Sequence, residues 1–238
     1  SRGLGDVYKR QIPARQNFAK NIWRVYQRSD LQYDGGSLIW IDFPGERLVD
    51  MIKTVGFAMC GSFCTMQKAV DEMRTLSEQY AILPVMSQNV YETDTRFGKA
   101  KDFIDEVEKI SGRQVLHSIV STEPIGPKGL VDVMVVMPCT GNTLSKIANG
   151  ITDTSVTMAV KSSLRIGIPV VLGLATNDAM GASGTNIAKL FNTKNVYLVP
   201  LHQDDPIKKP FSLVSDFSLL PQTIEAALKG RQLQPFYR

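Results

Sequence analysis

The chain has 238 residues, 43% of them hydrophobic and 21% charged, a size and balance that suit one soluble domain with a good-sized core. Its formal net charge of +4 is a mild excess with no basic stripe, Lys/Arg block or aromatic ladder, which speaks against nucleic-acid binding. Cys60, Cys64 and Cys139 are too few and oddly numbered for a disulfide scaffold, no apolar run reaches membrane-spanning length and no secretory leader opens the chain, so a cytosolic protein is expected.

Residues 1–50 do not read like the rest. They mix Gly, Pro, Arg and isolated aromatics without a sustained period and offer one short strand, Ser37 to Phe43, between turn signals. The opening GLGDVYKRQ looks like an adapter-derived translation. We expect an atypical N-terminal extension over 1–50, artefactual, disordered or natural, followed by one α/β domain over 51–238.

From Ile52 to Met59 the sequence reads as a buried strand ending in CGSFCT, and Met66, Ala69, Val70, Met73, Leu76 and Tyr80 then recur at helical spacing. AILPVMS gives a second strand, and the polar NVYETDTRFG reads as a loop. Ala100, Phe103, Ile104, Val107 and Ile110 mark a helix that stops at Gly112. An extended segment is expected over Val115 to Val120, followed by the turn-rich STEPIGPKG. Val131 to Met137 is so continuously apolar that it suits the centre of a parallel sheet covered on both faces, with Pro138 as its end.

Leu144, Ile147, Ala148 and Ile151 define a short helix, and a further helix is expected over Ser155 to Arg165, closing at Gly167. IPVVLGLA supplies a strand, TNDAMGASGTN a long ligand-type loop, IAKLF a short helix and NVYLVP the last central strand. Pro221 to Lys229 resembles a terminal helix with Pro in its first turn. Strands alternate with helices throughout, the pattern of an α/β layer sandwich.

In such sheets the loops after the strands' carboxyl ends gather into a binding crevice. Four polar loops are expected there: Cys60 to Thr65, Pro138 to Thr143, Thr176 to Asn186 and His202 to Pro210. In the first, Gly61 permits close backbone approach and Ser62 and Thr65 offer hydroxyls at a helix start, a phosphate cradle or an ordinary capped turn. It has neither the GxGxxG nor the GxxxxGKS/T spacing, so one phosphate of a mononucleotide fits it better than a dinucleotide. In the second, Gly141 lets the chain turn while Thr140, Asn142 and Thr143 cap the helix or address a planar heterocycle; a cap needs one such residue and the loop supplies three.

Asn177 and Asn186 in the third loop, and Arg96 after the acidic ETDT, are candidate contacts for an anionic substrate; turn bracing by Asp178 and Asn186 and local charge pairing at Arg96 are the bland alternatives. His202, Asp204 and Asp205 invite a metal reading, but no second His stands at chelating spacing and His117 is remote, so no metal is expected. Cys60 and Cys139 fall at strand ends, where a buried small hydrophobe is commoner than a reactive thiolate.

Five blocks carry a resemblance: GFAMCGSFCT, TDTRFG, PCTGNTLSKIANGITD, VLGLATNDAMGASGTNIAKLFNTKNVYLVP and QDDPIKKP. From Met51 to about Phe236 the chain resembles the family of dipicolinate synthase B subunits, in the flavoprotein superfamily that also holds flavin-dependent cysteine decarboxylases and phosphopantothenoylcysteine decarboxylase. The resemblance implies a Rossmann-like three-layer sandwich with a mostly parallel central sheet and a flavin mononucleotide (FMN) site. Ser62, Thr140, Asn142 and Thr143 would face the cofactor, with Gly61 and Gly141 in the same loops.

It further implies an oligomer in the cytoplasm of a sporulating bacterial mother cell. There an A subunit using NADP or NAD acts with it to turn a dihydro- or hydroxytetrahydrodipicolinate precursor, a small anionic dicarboxylate, into pyridine-2,6-dicarboxylate. Relatives carry a His between the Ser and Cys of the first loop, where this chain has Phe63, and no motif assigns His117 or His202 as base. A flavin-dependent decarboxylase of a cysteine-containing substrate and a non-catalytic partner subunit are the alternatives.

Overall fold

The structure, a computed structural model, describes residues 53–237; the expected strand at Ser37 to Phe43 and the extension assigned to 1–50 lie outside the described residues. The strands are β1 (Thr54–Met59), β2 (Ala81–Met86), β3 (Val133–Cys139), β4 (Val170–Thr176), β5 (Val196–Leu198), β6 (Leu201–Asp205) and β7 (Lys209–Ser215). The helices are α1 (Phe63–Leu76), α2 (Gln88–Glu92), α3 (Ala100–Ser111), α4 (Ile119–Thr122), α5 (Gly141–Ala148), α6 (Ser155–Arg165), α7 (Ala182–Phe191) and α8 (Leu220–Leu228).

Strands β2, β1, β3 and β4 lie side by side in that order, all parallel. Beyond them β4 has two neighbours on one edge. Its first half pairs in parallel with β5, whereas Ala175 and Thr176 pair antiparallel with Val214 and Leu213 of β7, which in turn pairs with β6. At the changeover the Ser215 hydroxyl donates to the Val199 carbonyl at 3.0 Å and accepts the Leu174 amide at 2.9 Å, so no backbone donor is stranded there.

The period-2 alternation of the strands sorts their side chains into two apolar layers. Val55, Phe57, Met59, Val133, Val135 and Val171 pack under α1, α3 and α8. Ala58, Met134, Val136, Leu172 and Leu174 pack under α5, α6 and α7. The result is a three-layer α/β sandwich of Rossmann type with a mostly parallel sheet, as the continuous apolar strands demand.

Several expectations are corrected. Val115 to Val120 forms no strand: Leu116 makes one bridge to Val85, and Ile119 and Val120 belong to α4, whose start is fixed by a capping box between Ser118 and Ser121. NVYETDTRFG begins as helix α2 rather than loop. Strand β3 runs through Pro138 to Cys139 by means of a bulge, since Val136 pairs with Leu172 and Cys139 with Leu174; the Met137–Pro138 peptide is cis. Bulges are where a sheet tolerates proline. The extra residue resets the alternation, leaving Met137 in one core layer and Cys139 in the other.

The expected loop Thr176 to Asn186 is shorter than predicted, because α7 starts at Ala182 and places Asn186 on a helix. The expected loop His202 to Pro210 is the β6–β7 hairpin. Its Asp205 carboxylate accepts the Ile207 and Lys208 amides at 3.1 and 2.9 Å, and Asp204 pairs with Lys209, so those acids build the turn. Ile151 falls beyond α5, which ends at Ala148.

Gly173 tests the packing around the bulge. A Cβ there would lie 2.7 Å from both Cγ and Sδ of Met137, so Gly173→Ala is expected to lower stability by about 1–3 kcal/mol, the usual cost of overpacking a core. Urea unfolding checks it; an unchanged midpoint would show that the core beside the bulge is loosely packed.

Candidate functional site

The first turn, the central turn, the turn after β4 and the Arg96–Phe97 corner meet at the carboxyl edge of the sheet around a cleft of about 720 Å³. This volume lies in the usual range for small-molecule sites, about 300–1,000 Å³. Gly61, Ser62, Thr140, Gly141, Asn142, Arg96, Asn177 and Asn186 all line it. Of the sequence-predicted contacts, two do not line it: the Thr65 hydroxyl turns back onto Ser62, and Thr143 stands behind the wall, buried, with its amide and hydroxyl both bonded to the Thr140 hydroxyl at 3.2 Å.

The central loop thus divides its labour. Thr140 and Thr143 form the helix cap, which accounts for two of the three polar side chains. Asn142 is exposed at the cleft with no protein partner for its amide among the described residues. Asn177 is likewise exposed and unpaired, whereas Asn186 accepts from Asn149 at 3.4 Å.

Helices α1, α5 and α7 all begin at this cleft, so their amide dipoles point their positive ends into it. Ser62 stands at the N-cap of α1 without capping it; its hydroxyl accepts from Thr65 at 3.0 Å, which leaves its own proton free to donate. Gly61 needs no unusual backbone angle, and a Cβ there would meet the Phe63 ring at 3.4 Å. Arg96 forms no ion pair with a described carboxylate; its guanidinium lies 4.8 Å from the centre of the Phe97 ring. The local charge pairing considered for it is absent, because Asp94 instead accepts the Ala100 amide at the start of α3, at 2.9 Å.

The turn bracing weighed for Asp178 is found at the tip of β4, with partners that the sequence did not single out. The Asp178 carboxylate accepts through Oδ1 from the hydroxyls of Thr176 and Ser183, the latter at 2.8 Å, and these bonds hold its carboxyl below the ordinary carboxylate range. Gly141 packs against this brace: a Cβ on it would lie 2.8 Å from Thr176 Oγ1, 2.9 Å from Ser183 Oγ and 3.0 Å from Asp178 Oδ1. The hint in the sequence was a hydroxyl, a carboxylate and a hydroxyl within one short loop. Phe63 and Phe97, also on the wall, were visible only as residues in loops.

The hairpin loop does not join this cleft. It borders a second one of about 530 Å³ that shares Ser62, Cys64, Ala175, Thr176 and Asn177 with the first and contains His202 and Lys209 beside Asp71, Glu72 and Asp216. Burial, then Asp216 and Asp71, push the Glu72 carboxyl up, and the four carboxylates of this cleft, Asp71, Glu72, Asp204 and Asp216, outnumber its lysines, Lys68 and Lys209. His117 is elsewhere, stacked on Tyr91 at 3.8 Å between ring centres. Among the described residues no group of His, Cys, Asp and Glu is placed to hold a metal ion, and no helix is long and apolar enough to cross a membrane.

The wall of the first cleft generates two tests. Gly141→Ala forces a methyl into the Thr176–Asp178–Ser183 brace and should lower stability by about 1–3 kcal/mol; an unshifted urea midpoint would mean that α5 does not press on β4. Cys60 and Cys139 are fully buried, with burial pushing the Cys60 thiol up to about 11 and Cys139 well above its usual value, while Cys64 is exposed. Brief iodoacetamide treatment at neutral pH followed by mass spectrometry should therefore label Cys64, with Cys60 and Cys139 reacting only after unfolding. Early labelling of Cys139 would contradict the core assignment.

Residues 47–214 match the family model described as Flavoprotein. The chain is 47% identical over 184 residues to the dipicolinate synthase B subunit of Bacillus subtilis (strain 168), covering 77% of this chain and 92% of that protein. It also resembles the crystal structure of the dipicolinate synthase B subunit from Bacillus halodurans C, with a TM-score of 0.72 and 45% identity over 78% of this chain and 96% of that one. The FMN-dependent cysteine decarboxylase SpaF shares the fold, with a TM-score of 0.52 and 21% identity over 75% of this chain and 96% of its own. A parallel sheet with a polar cleft at its carboxyl edge, a family model spanning most of the chain and relatives matched nearly end to end agree: the chain belongs to the flavoprotein family, among the dipicolinate synthase B subunits.

Proposed function

We propose that the chain is the B component of a dipicolinate synthase. It binds FMN in the first cleft and acts with an A subunit that uses NADP or NAD to form pyridine-2,6-dicarboxylate from a dihydro- or hydroxytetrahydrodipicolinate precursor. The setting is the cytoplasm of a sporulating cell, with the chain in an oligomer. The observation that carries the flavin part is the convergence of three helix starts, the unspent Ser62 hydroxyl and the unpartnered Asn142 amide on one mononucleotide-sized cleft.

The residues present fit FMN. Ser62 and the first amides of α1 suit a phosphate, and no carboxylate stands in the first turn of that helix to repel it. The faces of Phe63 and Phe97 and the amides of Asn142 and Asn177 suit a flat heterocycle with polar edges. When bound, the flavin supplies hydride and electron transfer. The protein's part is to hold the ring and the substrate in register and to supply countercharge. Arg96, the cation of the cleft wall, receives a substrate carboxylate through its planar fork, with Asn177 and Asn186 as further donors.

Phe63 supports a second reading. Where the family resemblance expects a His, the first loop offers an apolar ring that can neither take nor give a proton. In that version the chain shapes the site and stabilises the complex while the A subunit performs the nicotinamide chemistry.

Reconstitution of the A subunit with precursor and nicotinamide cofactor, with and without this chain, tests the assignment. Product formation should depend on the chain; equal rates without it would overturn the assignment. Titration of flavin fluorescence should give saturable FMN binding that Asn142→Ala weakens by about tenfold, one side-chain hydrogen bond's worth. A colourless protein that also ignores added FMN would rule the flavin out. Loss of the Asn142 effect on turnover, with dependence on the chain retained, would favour the second reading.

A further inference from the structure

Among the residues lining the first cleft, Arg96 is the one cation and Asp178 the one carboxylate. The carboxylate is the unexpected member, since the helix starts and Arg96 otherwise prepare the cleft for an anion. Its Oδ1 is committed to Thr176 and Ser183, while its Oδ2 receives no hydrogen bond and no ion pair from another described residue. Bracing the start of α7 needs an acceptor at Oδ1 and nothing more, and an asparagine would provide one. The side chain is therefore fixed in place with one charged acceptor to spare, exposed at the cleft.

Resting on the flavin reading above, we propose that Asp178 is a ligand-binding residue whose Oδ2 accepts a hydrogen bond from an O–H or N–H donor of the flavin. The charge keeps anionic groups away from the joint start of α5 and α7. The cleft is then polar along its length. An anionic group belongs with Arg96 or with the carboxylate-free start of α1, and the donor-bearing part of the ligand belongs at Asp178. The two hydroxyl braces hold the carboxyl below its ordinary range, so the acceptor is charged at neutral pH with room to spare.

FMN carries two kinds of donor, the hydroxyls of its ribityl chain and the N3–H of its ring. Asp178→Asn separates the binding role from the bracing role, because the amide oxygen can still receive Thr176 and Ser183 while the nitrogen replaces the free acceptor with a donor. Fluorescence titrations of the full chain with FMN, N3-methyl-FMN and lumiflavin, alongside thermal melts, make the test. We expect an unchanged melting temperature for Asp178→Asn and an FMN affinity reduced by about tenfold or more, as for loss of a charge-assisted hydrogen bond.

If the donor is ribityl, the loss disappears with lumiflavin; if it is N3–H, the loss disappears with N3-methyl-FMN. Ser183→Ala removes one brace and should give a smaller loss for FMN. Equal or tighter FMN binding by Asp178→Asn, with wild-type binding intact, overturns the role of Asp178 alone. Failure of the wild-type chain to bind any of the three overturns the flavin reading and this one with it.

Discussion

The site depends on one close approach. Gly141 begins α5 within van der Waals distance of the Thr176–Asp178–Ser183 brace at the tip of β4, and no side chain larger than hydrogen fits there. That contact sets the start of α5 against the start of α7. Two helix starts are thereby brought to one place, with the carboxylate beside them held by the Thr176 and Ser183 hydroxyls.

The sheet delivers these groups through its irregularities. The bulge at Met137–Pro138 adds one residue to β3, so Cys139 turns into the second core layer and the chain enters the α5 turn from that face. One edge of β4 serves two strands of opposite direction, with the Ser215 hydroxyl closing the gap between them. This arrangement frees the last residues of β4 from a continuous parallel neighbour and gives one wall to each of two clefts. The two differ in character: the first joins helix starts and Arg96, the second gathers Asp71, Glu72 and Asp216. The balance of charge and the three helix starts favour the first for an anionic ligand.

Much of the fold was legible because its strands are buried on both faces and read as unbroken apolar runs, Val133 to Met137 and Val170 to Leu174 above all. The β6–β7 hairpin was not, since Pro206, Pro210 and its charged residues resemble a loop and an edge hairpin needs little apolar alternation. The segment after Val115 read as extended, but Ser118 and Ser121 cap a helix turn that residue preferences at Ile119 and Val120 would not suggest. At the site, three of the four polar loops and the availability of Asn142 could be argued from composition and the demands of capping. The placement of Thr143 behind the wall and the polarity set by Asp178 could not, because both arise from contacts between loops distant in the chain.

A crystal structure of the chain with FMN tests the central claim most directly. The cofactor is expected between Ser62 and Asn142, with its donor-bearing part against Asp178. Flavin density in the acidic second cleft, or at the opposite edge of the sheet, would contradict that placement.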